Sequence, residues 1–534
     1  MESLAANLRE MVRTPLHDEH VAELRRIGEV VTFPEGHMVA EVGDPMDTFT
    51  YIVEGEIEVI HPVTREAYLP TTLGPTQFMG EIVFLSGGVY SLPMRAKRET
   101  TAIVVPRAEM LDAMARIPEM SDIIITVFAA RRRRQIEDRD TSLTLIGIDR
   151  SREIRAVAEF ASRNKIPVRI IEDGSDEARE AAQICAVAMD EPAVIFGENR
   201  VVESPTPAKV AQLLGIGMDL ACDEIVDVLI VGGGPAGVAA AVYAGAEGLS
   251  ALVVEDTAVG GQAGTSSRIE NYMGFPTGIS GADLVWRGEI QAMKFGTRFS
   301  MPSRVTALST DGGIFSATLD NGETVRARAV IVATGVQYRR LPLKGLEGLE
   351  GSGIYYAATE MEARYCQNAE VIVVGGGNSA GQAAMYLSRS ARHVHVLVRG
   401  ESLAASMSDY LSSRLDTNPN VTVHYKAQIA ALHGDETMER VTITKDGAPW
   451  ELETPAAFIM VGAAPNTGWL RDHCDLDPRG FVITGQDATS PFETSCPGVF
   501  AVGDVRAGSV KRVASAVGEG SVVISKVWEH VNAA

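Results

Sequence analysis

The chain is 534 residues long, 46% hydrophobic and 22% charged, which is a size and composition expected of three or four globular domains. Its net charge of −22 repels phosphate backbones and anionic lipid surfaces, so we do not expect it to bind nucleic acid. No segment approaches the roughly 18 apolar residues of a membrane span, and the N-terminus has no signal-peptide core. We predict a soluble, cytoplasmic protein.

The cysteines form no redox or metal motif. They are Cys185, Cys222, Cys366, Cys474 and Cys496, and no two have the C-x-x-C spacing. Neither a disulfide framework nor a thiolate metal site is therefore predicted, and we expect no bound metal.

Residues 1–140 are predicted to form a β-roll followed by helices. Apolar residues alternate along residues 30–60, and the residues from 110 to 135 have apolar side chains at helical spacing. The alternation is broken by glycine turns at Gly36, Gly43 and Gly55. Arg131 to Arg134 form the one basic run. We interpret the run as a solvated helix face, and the alternative is a docking patch for an acidic partner.

This segment resembles the cyclic-nucleotide-binding domain. The resemblance lies in Gly43, Asp47, the run from Tyr51 to Ile57, and Phe78-Met79-Gly80-Glu81. It implies that Gly80 and Glu81 would lie at the ribose and cyclic phosphate, with an arginine about ten residues later. Tyr90 or Ser91 stands at that place, and Arg95 is the nearest substitute. Because a lost guanidinium–phosphate contact weakens binding severely, we expect a structural or partner-docking domain instead of one that binds a cyclic nucleotide.

Residues 141–218 are predicted to have the order β-α-β-α-β-β-α, with helices at 152–165, 176–188 and 205–214. This order resembles the thioredoxin fold, with Glu191-Pro192-Ala193 placed like its cis-proline. The dithiol of that fold would follow the first strand, where Asp149-Arg150-Ser151-Arg152 stands here. We therefore expect an adaptor surface or spacer without a dithiol.

Two dinucleotide fingerprints follow Asp223, and each lies between a predicted strand and a predicted helix. The first reads Gly232-Gly233-Gly234-Pro235-Ala236-Gly237. Gly232 permits the tight turn, Gly234 lets the backbone approach a pyrophosphate, and Gly237 lets helix and strand pack closely. Glu255, at the end of the next strand, is placed to accept hydrogen bonds from ribose hydroxyls.

The second fingerprint reads Gly375-Gly376-Gly377-Asn378-Ser379-Ala380. The strand after its helix ends in Arg399, where an acidic residue would select NADH. Because an arginine can pair with the 2′-phosphate of NADPH, we predict NADPH as this nucleotide, with NADH as the open alternative.

The second site is inserted within the domain of the first, and this organisation resembles the thioredoxin-reductase branch of the pyridine-nucleotide disulfide oxidoreductases. The supporting motifs are Gly260 to Gln262, Ile269 to Pro276, Ala333 to Gly335, Val461 to Thr467, Gly498 to Asp504 and Lys511 to Ala516. The resemblance implies FAD and NADPH as cofactors and a homodimer. It also implies that Asp504 binds the ribityl or pyrophosphate part of FAD, and that a helix opening near Val513 and Ala514 stabilises reduced flavin.

The resemblances together imply an α/β fold in which two nested Rossmann-like FAD and NAD(P)H domains follow a β-roll and a thioredoxin-like domain. The expected boundaries are 1–140 and 141–218 for the N-terminal domains, 225–337 and 465–534 for the FAD domain, and 338–464 for the NAD(P)H domain. The candidate cofactor-binding residues are Gly232, Gly234, Pro235, Ala236, Gly237, Glu255, Gly261, Gln262, Asn271, Ala333, Thr334, Gly335, Gly375, Gly377, Asn378, Ser379, Ala380, Arg399, Gly503, Asp504, Arg512, Val513 and Ala514.

The dithiol of a thioredoxin reductase is missing. Such an enzyme would carry C-A-T-C where this chain reads Ala357-Ala358-Thr359-Glu360, so Ala357 and Glu360 replace its two cysteines. Alanine cannot attack a disulfide, and disulfide reduction by the usual route is not expected. Cys366 lacks a partner and is interpreted as a buried apolar residue. We assign no catalytic side chain.

Three functions stay open at this point. In the first, NAD(P)H reduces FAD and the electrons pass to an external acceptor such as a ferredoxin, a flavodoxin or a quinone. The second is thioredoxin-disulfide reduction by a non-standard route. The third is a signalling flavoprotein whose N-terminal domain senses a ligand. In a combined interpretation, the N-terminal domains regulate the reductase by biasing the motion between its nucleotide domains.

Overall fold

The computed structural model describes the chain from residue 13 to residue 533 with internal gaps. The gaps are 63, 70, 139–140, 142, 149–150, 172–174, 176–178, 180–192, 198–199, 217–223, 267–268, 270, 351, 357, 359, 404–406, 436, 471 and 487–489. At 338, 360, 361, 365 and 463 the backbone alone is described. Ala357, Asp149-Arg150, Glu191-Pro192 and most of the expected helix at 176–188 therefore lie outside the described residues.

The N-terminal part forms two antiparallel three-stranded sheets flanked by helices. The strands are β1 (Glu29–Phe33), β2 (Met38–Ala40), β3 (Thr48–Glu54), β4 (Ile57–Val59), β5 (Met94–Ala96) and β6 (Thr100–Pro106). Their orders are β1-β6-β3 and β2-β5-β4. The helices are α1 (Asp18–Ile27), α2 (Arg107–Arg116) and α3 (Pro118–Asp138). The alternating apolar pattern thus forms the expected β-roll.

The basic run at the end of α3 is not the solvated face that the sequence suggested. Nη1 of Arg131 donates to the carbonyl oxygens of Phe78 and Gly80, at 2.7 and 2.9 Å. Arg132 is buried and lies 3.3 Å from the buried carboxylate of Glu81. The interpretation was wrong for these two arginines, because helical periodicity turns them toward the β-roll while the next two face outward. Arg133 and Arg134 pair with acidic residues one turn later on the same helix.

The next unit has the strand order of the expected thioredoxin-like fold. Its elements are β7 (Leu143–Ile146), α4 (Arg152–Arg163), β8 (Arg169–Ile171), β9 (Ala193–Phe196), β10 (Arg200–Val201) and α5 (Pro207–Leu213). The sheet order is β10-β9-β7-β8, with β7 parallel to β8 and antiparallel to β9. The side chain of Ser151 caps α4 by accepting from the N–H of Ile154.

A larger sheet carries the first fingerprint. Its elements are β11 (Ile225–Val231), α6 (Pro235–Ala246), β12 (Ala251–Val254), α7 (Gly261–Gly264), α8 (Gly281–Lys294), β13 (Arg298–Ser300), β14 (Val305–Asp311), β15 (Ile314–Leu319), β16 (Thr324–Val332), β27 (Val499–Ala501) and α13 (Val513–Asn532). The order is β13-β12-β11-β16-β15-β14, and β27 pairs parallel with β16. The chain therefore leaves this sheet after β16 and returns to it near the C-terminus.

The inserted part carries the second fingerprint. Its elements are α9 (Leu346–Leu349), β18 (Ile354–Tyr355), α10 (Glu360–Tyr365), β19 (Glu370–Val374), α11 (Asn378–Leu387), β20 (His393–Val398), α12 (Asp409–Thr417), β21 (Val421–Tyr425), β22 (Ala427–His433), β23 (Arg440–Lys445), β24 (Ala448–Glu453) and β25 (Ala457–Ile459). A parallel sheet has the order β18-β25-β19-β20-β21, and β22, β23 and β24 form an antiparallel sheet. Two short antiparallel strands, β17 (Val336–Tyr338) and β26 (Ala463–Pro465), join the two parts. None of the described helices has the length and apolarity that a membrane crossing requires.

The two long helices behind the first fingerprint pack through a glycine. Gly520 of α13 lies so close to the carbonyl oxygen of Ala236, in the first turn of α6, that a Cβ atom would overlap it. Gly518, on the same helix, has no described atom within 4 Å of its Cβ position. The position of α6, and of the fingerprint at its start, therefore depends on a glycine at 520.

We expect Gly520→Ala to destabilise the fold by about 1–3 kcal/mol, because the added methyl forces α13 away from α6. Gly518→Ala is the matched control and should stabilise by up to about 1 kcal/mol through helix propensity alone. Chemical denaturation of both variants measures the difference. Equal stability of the two would contradict the packing argument.

Candidate functional site

A cavity of about 670 Å³ opens at the carboxyl ends of the strands that precede α6 and α11. It is the place where ligands bind in open α/β sheets. Both fingerprints contribute to its wall. The candidate residues that line it are Gly232, Gly234, Pro235, Ala236, Glu255, Gly261, Gln262, Asn271, Ala333, Thr334, Gly335, Asn378, Ser379, Gly503, Asp504, Arg512 and Val513.

The first fingerprint has the backbone that a dinucleotide needs. Gly232 has φ of 110°, and a Cβ there would overlap the carbonyl of Ala333. A Cβ at Gly237 would likewise overlap the carbonyl of Gly232, so this glycine packs helix against strand behind the cavity. Gly234, the N-cap of α6, has no described atom within 4 Å of its Cβ position. The open space therefore lies in front of the positive end of α6, where a diphosphate binds favourably.

Glu255 is held at the end of β12 by backbone donors. Its carboxylate accepts from the N–H groups of Gly233, Thr257 and Ala258, at 2.7, 3.0 and 3.3 Å. Burial, and secondarily the neighbouring Asp256, raise its pKa above the usual range of a carboxyl group. The carboxylate lines the cavity beside the space in front of α6, where ribose hydroxyls of a bound dinucleotide can donate to it.

The C-terminal segment closes the opposite side. The N–H of Gly503 donates to Oε2 of Glu519 at 2.7 Å, which fixes the turn that carries Asp504. Burial raises the pKa of Asp504. Helix α13 begins at Val513, where the sequence predicted a helix to open, and its N-terminal residues Arg512 and Val513 face the cavity. Ala514 does not line it.

The second fingerprint meets the same cavity through the start of α11. Asn378 and Ser379 line it, and Oδ1 of Asn378 accepts from the N–H of Ser408 at 2.8 Å. Gly375 has φ of 145° and approaches the carbonyl of Met460, so it shapes the turn beneath. Gly375, Gly377, Ala380 and Arg399 do not line this cavity, and Arg399 is exposed, directly after the last residue of β20.

The site also contains residues that the sequence did not single out. They include Arg163, Arg304, Tyr356, Gln382, Tyr386, Trp469 and Lys511. Lys511 is the first residue of the motif Lys511 to Ala516, so the sequence contained a signal that it lies near the site. Arg163 had no such signal, because it belongs to the thioredoxin-like unit and reaches the cavity through tertiary packing.

Of the described thiols, those of Cys366 and Cys474 are buried and that of Cys496 is partly exposed, and all three are weakly acidic. Burial raises the pKa of Cys366 to about 12, that of Cys474 to about 11, and also that of Cys496. The expectation that Cys366 is a buried apolar residue is confirmed, since it is fully buried. Tyr356 and Ala358, on either side of position 357, line the cavity. None of the cysteines in the described part of the chain is thus placed or activated as a nucleophile.

Two dinucleotide folds that share one cavity define a dinucleotide-dependent oxidoreductase. Residues 226–520 match the family model "Pyridine nucleotide-disulphide oxidoreductase", and the chain belongs to this family. Residues 30–117 match the model "Cyclic nucleotide-binding domain". The family of thioredoxin-reductase-like enzymes binds FAD and NADPH, and the open space at α6 with Glu255 beside it fits the diphosphate and ribose of such a dinucleotide.

The chain is similar to several thioredoxin reductases. That of Streptomyces clavuligerus is 34% identical over 300 residues, covering 56% of this chain and 91% of the relative. A "34.2 kDa protein in rubredoxin operon" from Clostridium pasteurianum is 33% identical over 313 residues, covering 58% and 98%. The crystal structure of Lactococcus lactis thioredoxin reductase in its FR conformation has 27% identity and a TM-score of 0.54, covering 58% of this chain and all of that one.

We expect Glu255→Gln to raise the Kd for FAD by about tenfold, because a neutral amide accepts more weakly from ribose hydroxyls than a carboxylate does, and its NH₂ would face the backbone N–H donors that now hold the group in place. Since the pKa of Glu255 is raised, wild-type FAD affinity should fall as the pH drops from neutral to acidic and the carboxylate protonates. The variant should lose this dependence. Titration of apoprotein with FAD measures both effects, with Glu247→Gln, at the exposed end of α6, as the control.

Proposed function

We propose that the chain is an FAD-dependent oxidoreductase that takes reducing equivalents from NAD(P)H and passes them from the flavin to an external acceptor without a protein dithiol. The observation that supports it most is one cavity walled by both fingerprints, beside a segment that lacks the two cysteines of a thioredoxin reductase. Bound FAD and NAD(P)H supply the redox chemistry themselves.

The residues of the chain bind and orient the two cofactors. In this proposal the start of α6 and Glu255 hold the adenosine diphosphate part of FAD, and Asp504 with the start of α13 holds the other end. Asn378 and Ser379, at the start of α11, hold the diphosphate of the second nucleotide. Arg399 lies apart from the cavity at the exposed end of β20, where a 2′-phosphate of NADPH would be the group within its reach.

The missing dithiol supports a direct exit of electrons. Tyr356 and Ala358 line the cavity beside the place of the dithiol, and no acidic thiol stands there among the described residues. An acceptor that takes one or two electrons at this face, such as a small electron-transfer protein or a quinone, fits better than a disulfide. A relative in a rubredoxin operon supports an electron carrier as the class of acceptor.

We expect anaerobic NADPH to bleach the flavin absorbance in stopped-flow measurements, while NADPH-dependent reduction of thioredoxin or of a dithiobenzoate dye stays at background. A panel of ferredoxin, rubredoxin, quinones and oxygen should contain a faster acceptor. A bacterial thioredoxin reductase is the positive control for the dye. A flavin that stays oxidised, or rapid thioredoxin turnover, would contradict this function.

We further propose that the β-roll is a docking domain instead of a cyclic-nucleotide sensor. Arg95, the substitute for the missing phosphate arginine, is bound by Glu58 at 2.6 Å and donates to the carbonyl of Arg65. Glu81 is buried and faces Arg132. Both charged groups that a cyclic nucleotide would need are therefore engaged by other residues of the N-terminal part.

Isothermal titration of cyclic AMP and cyclic GMP into the full chain is expected to give no binding heat up to millimolar ligand. Glu58→Gln weakens the bond that holds Arg95 and should by itself create no site, because the arginine is displaced along the strand. A micromolar Kd for either nucleotide in the wild-type protein would refute this interpretation.

A further inference from the structure

The C-terminal end of α4, in the thioredoxin-like unit, lies against the wall of the dinucleotide cavity. The helix ends at Arg163, and Asn164 and Lys165 follow. Lys165 has φ of 52°, in the left-handed region that non-glycine residues seldom adopt, so the chain turns sharply here. The side chains of three consecutive residues face the nucleotide-binding part of the molecule.

Asn164 and Lys165 fasten this turn to the first nucleotide fold. Nδ2 of Asn164 donates to the carbonyl oxygen of Thr257 at 3.2 Å. Nζ of Lys165 lies 2.5 Å from Oδ1 of Asp283 and 4.7 Å from the ring centroid of Trp286. Thr257 itself lines the cavity, two residues after Glu255. The position of Arg163 relative to the cavity is thereby set by its two neighbours.

Arg163 lines the cavity, half-buried. Within the described part of the chain its guanidinium makes no hydrogen bond and no ion pair within 4.0 Å. Glu159, one helical turn earlier, is close enough to attract Arg163 electrostatically but forms no ion pair with it within 4.0 Å. A guanidinium carries five donors in a planar fork that matches the oxygens of a phosphate group. Because no described residue occupies these donors, they are available to a ligand in the cavity.

We propose that Arg163 is a dinucleotide-binding residue that the thioredoxin-like unit supplies to the cavity, pairing with phosphate oxygens of the bound nucleotide. The proposal rests on the proposed function, because it takes the cavity to hold FAD and NAD(P)H. The diphosphate of FAD is the expected partner, since Asn164 and Lys165 both bind the first nucleotide fold. A phosphate of NADP⁺ is the other source of the same chemistry.

The consequence is a coupling between cofactor binding and domain docking. A nucleotide that bonds to Arg163 also stabilises the docked position of α4. Conversely, the docked helix positions the guanidinium for the nucleotide. The sequence of the thioredoxin-like unit has no cysteines where its fold would carry a dithiol. In this proposal the unit instead completes the binding site of a neighbouring domain.

The test compares Arg163→Ala, Arg163→Gln and Arg163→Lys in the full chain with Arg152→Ala, an exposed arginine at the start of the same helix. FAD is titrated into flavin-stripped protein by fluorescence quenching, at low and high salt. NADP⁺ and NAD⁺ are titrated into the flavin-loaded protein by calorimetry, and thermal unfolding of each variant without flavin is recorded.

The expected result is a rise of about 10–100-fold in the Kd for FAD in the alanine and glutamine variants, a smaller rise with lysine, and a change below twofold for Arg152→Ala. The salt dependence of FAD binding should also become shallower without the guanidinium. A rise confined to NADP⁺ would support the proposal with the second nucleotide as the partner.

Unchanged Kd values for all three nucleotides would overturn the proposal, whether or not the variants unfold at a lower temperature. In that case Arg163 only stabilises the C-terminal end of α4. Failure of the wild-type chain to bind FAD at all would instead overturn the proposed function, so the two failures are distinguishable.

Discussion

The close approach of backbone to backbone around α6 is the constraint on which the rest of the nucleotide-binding part depends. Gly232, Gly237 and Gly520 each stand where a Cβ would overlap a carbonyl oxygen. These contacts bring the start of α6 close to β16 on one side and α13 on the other. The open end of α6 and the turn at Asp504 consequently face one cavity, and the chain must return from the inserted domain to complete it.

The predictions from sequence were accurate where the structure depends on residues that are close together in the chain. The fingerprints are local patterns, and glycines with fixed spacing reveal the strand, turn and helix that they connect. The start of α13 at Val513 and the buried state of Cys366 were predicted for the same reason, because each depends on nearby residues. The order of strands and helices along the 141–218 segment was predicted from local patterns in the same way, as far as that segment is described.

What could not be predicted depends on contacts between distant segments. Arg131 and Arg132 look like surface residues in a run of four arginines, and only the fold shows that they bind the carbonyls and carboxylate of the 78–81 segment. Arg163 reaches the cavity because α4 docks on a sheet that begins more than sixty residues later. Arg399 was named from its motif position alone; it does not line the cavity, and its contact with a 2′-phosphate stays a prediction.

The N-terminal units are attached to one nucleotide fold by both apolar and charged contacts. Buried residues of the β-roll and of α6, α8 and α13 belong to one continuous apolar cluster. Lys294 of α8 pairs with Asp122 of α3, and Lys165 pairs with Asp283 of α8. Since exposed ion pairs contribute little, the shared apolar surface must supply most of the docking free energy. An attachment of this kind joins the N-terminal units to the fold that carries the first fingerprint, so that these parts share one apolar core.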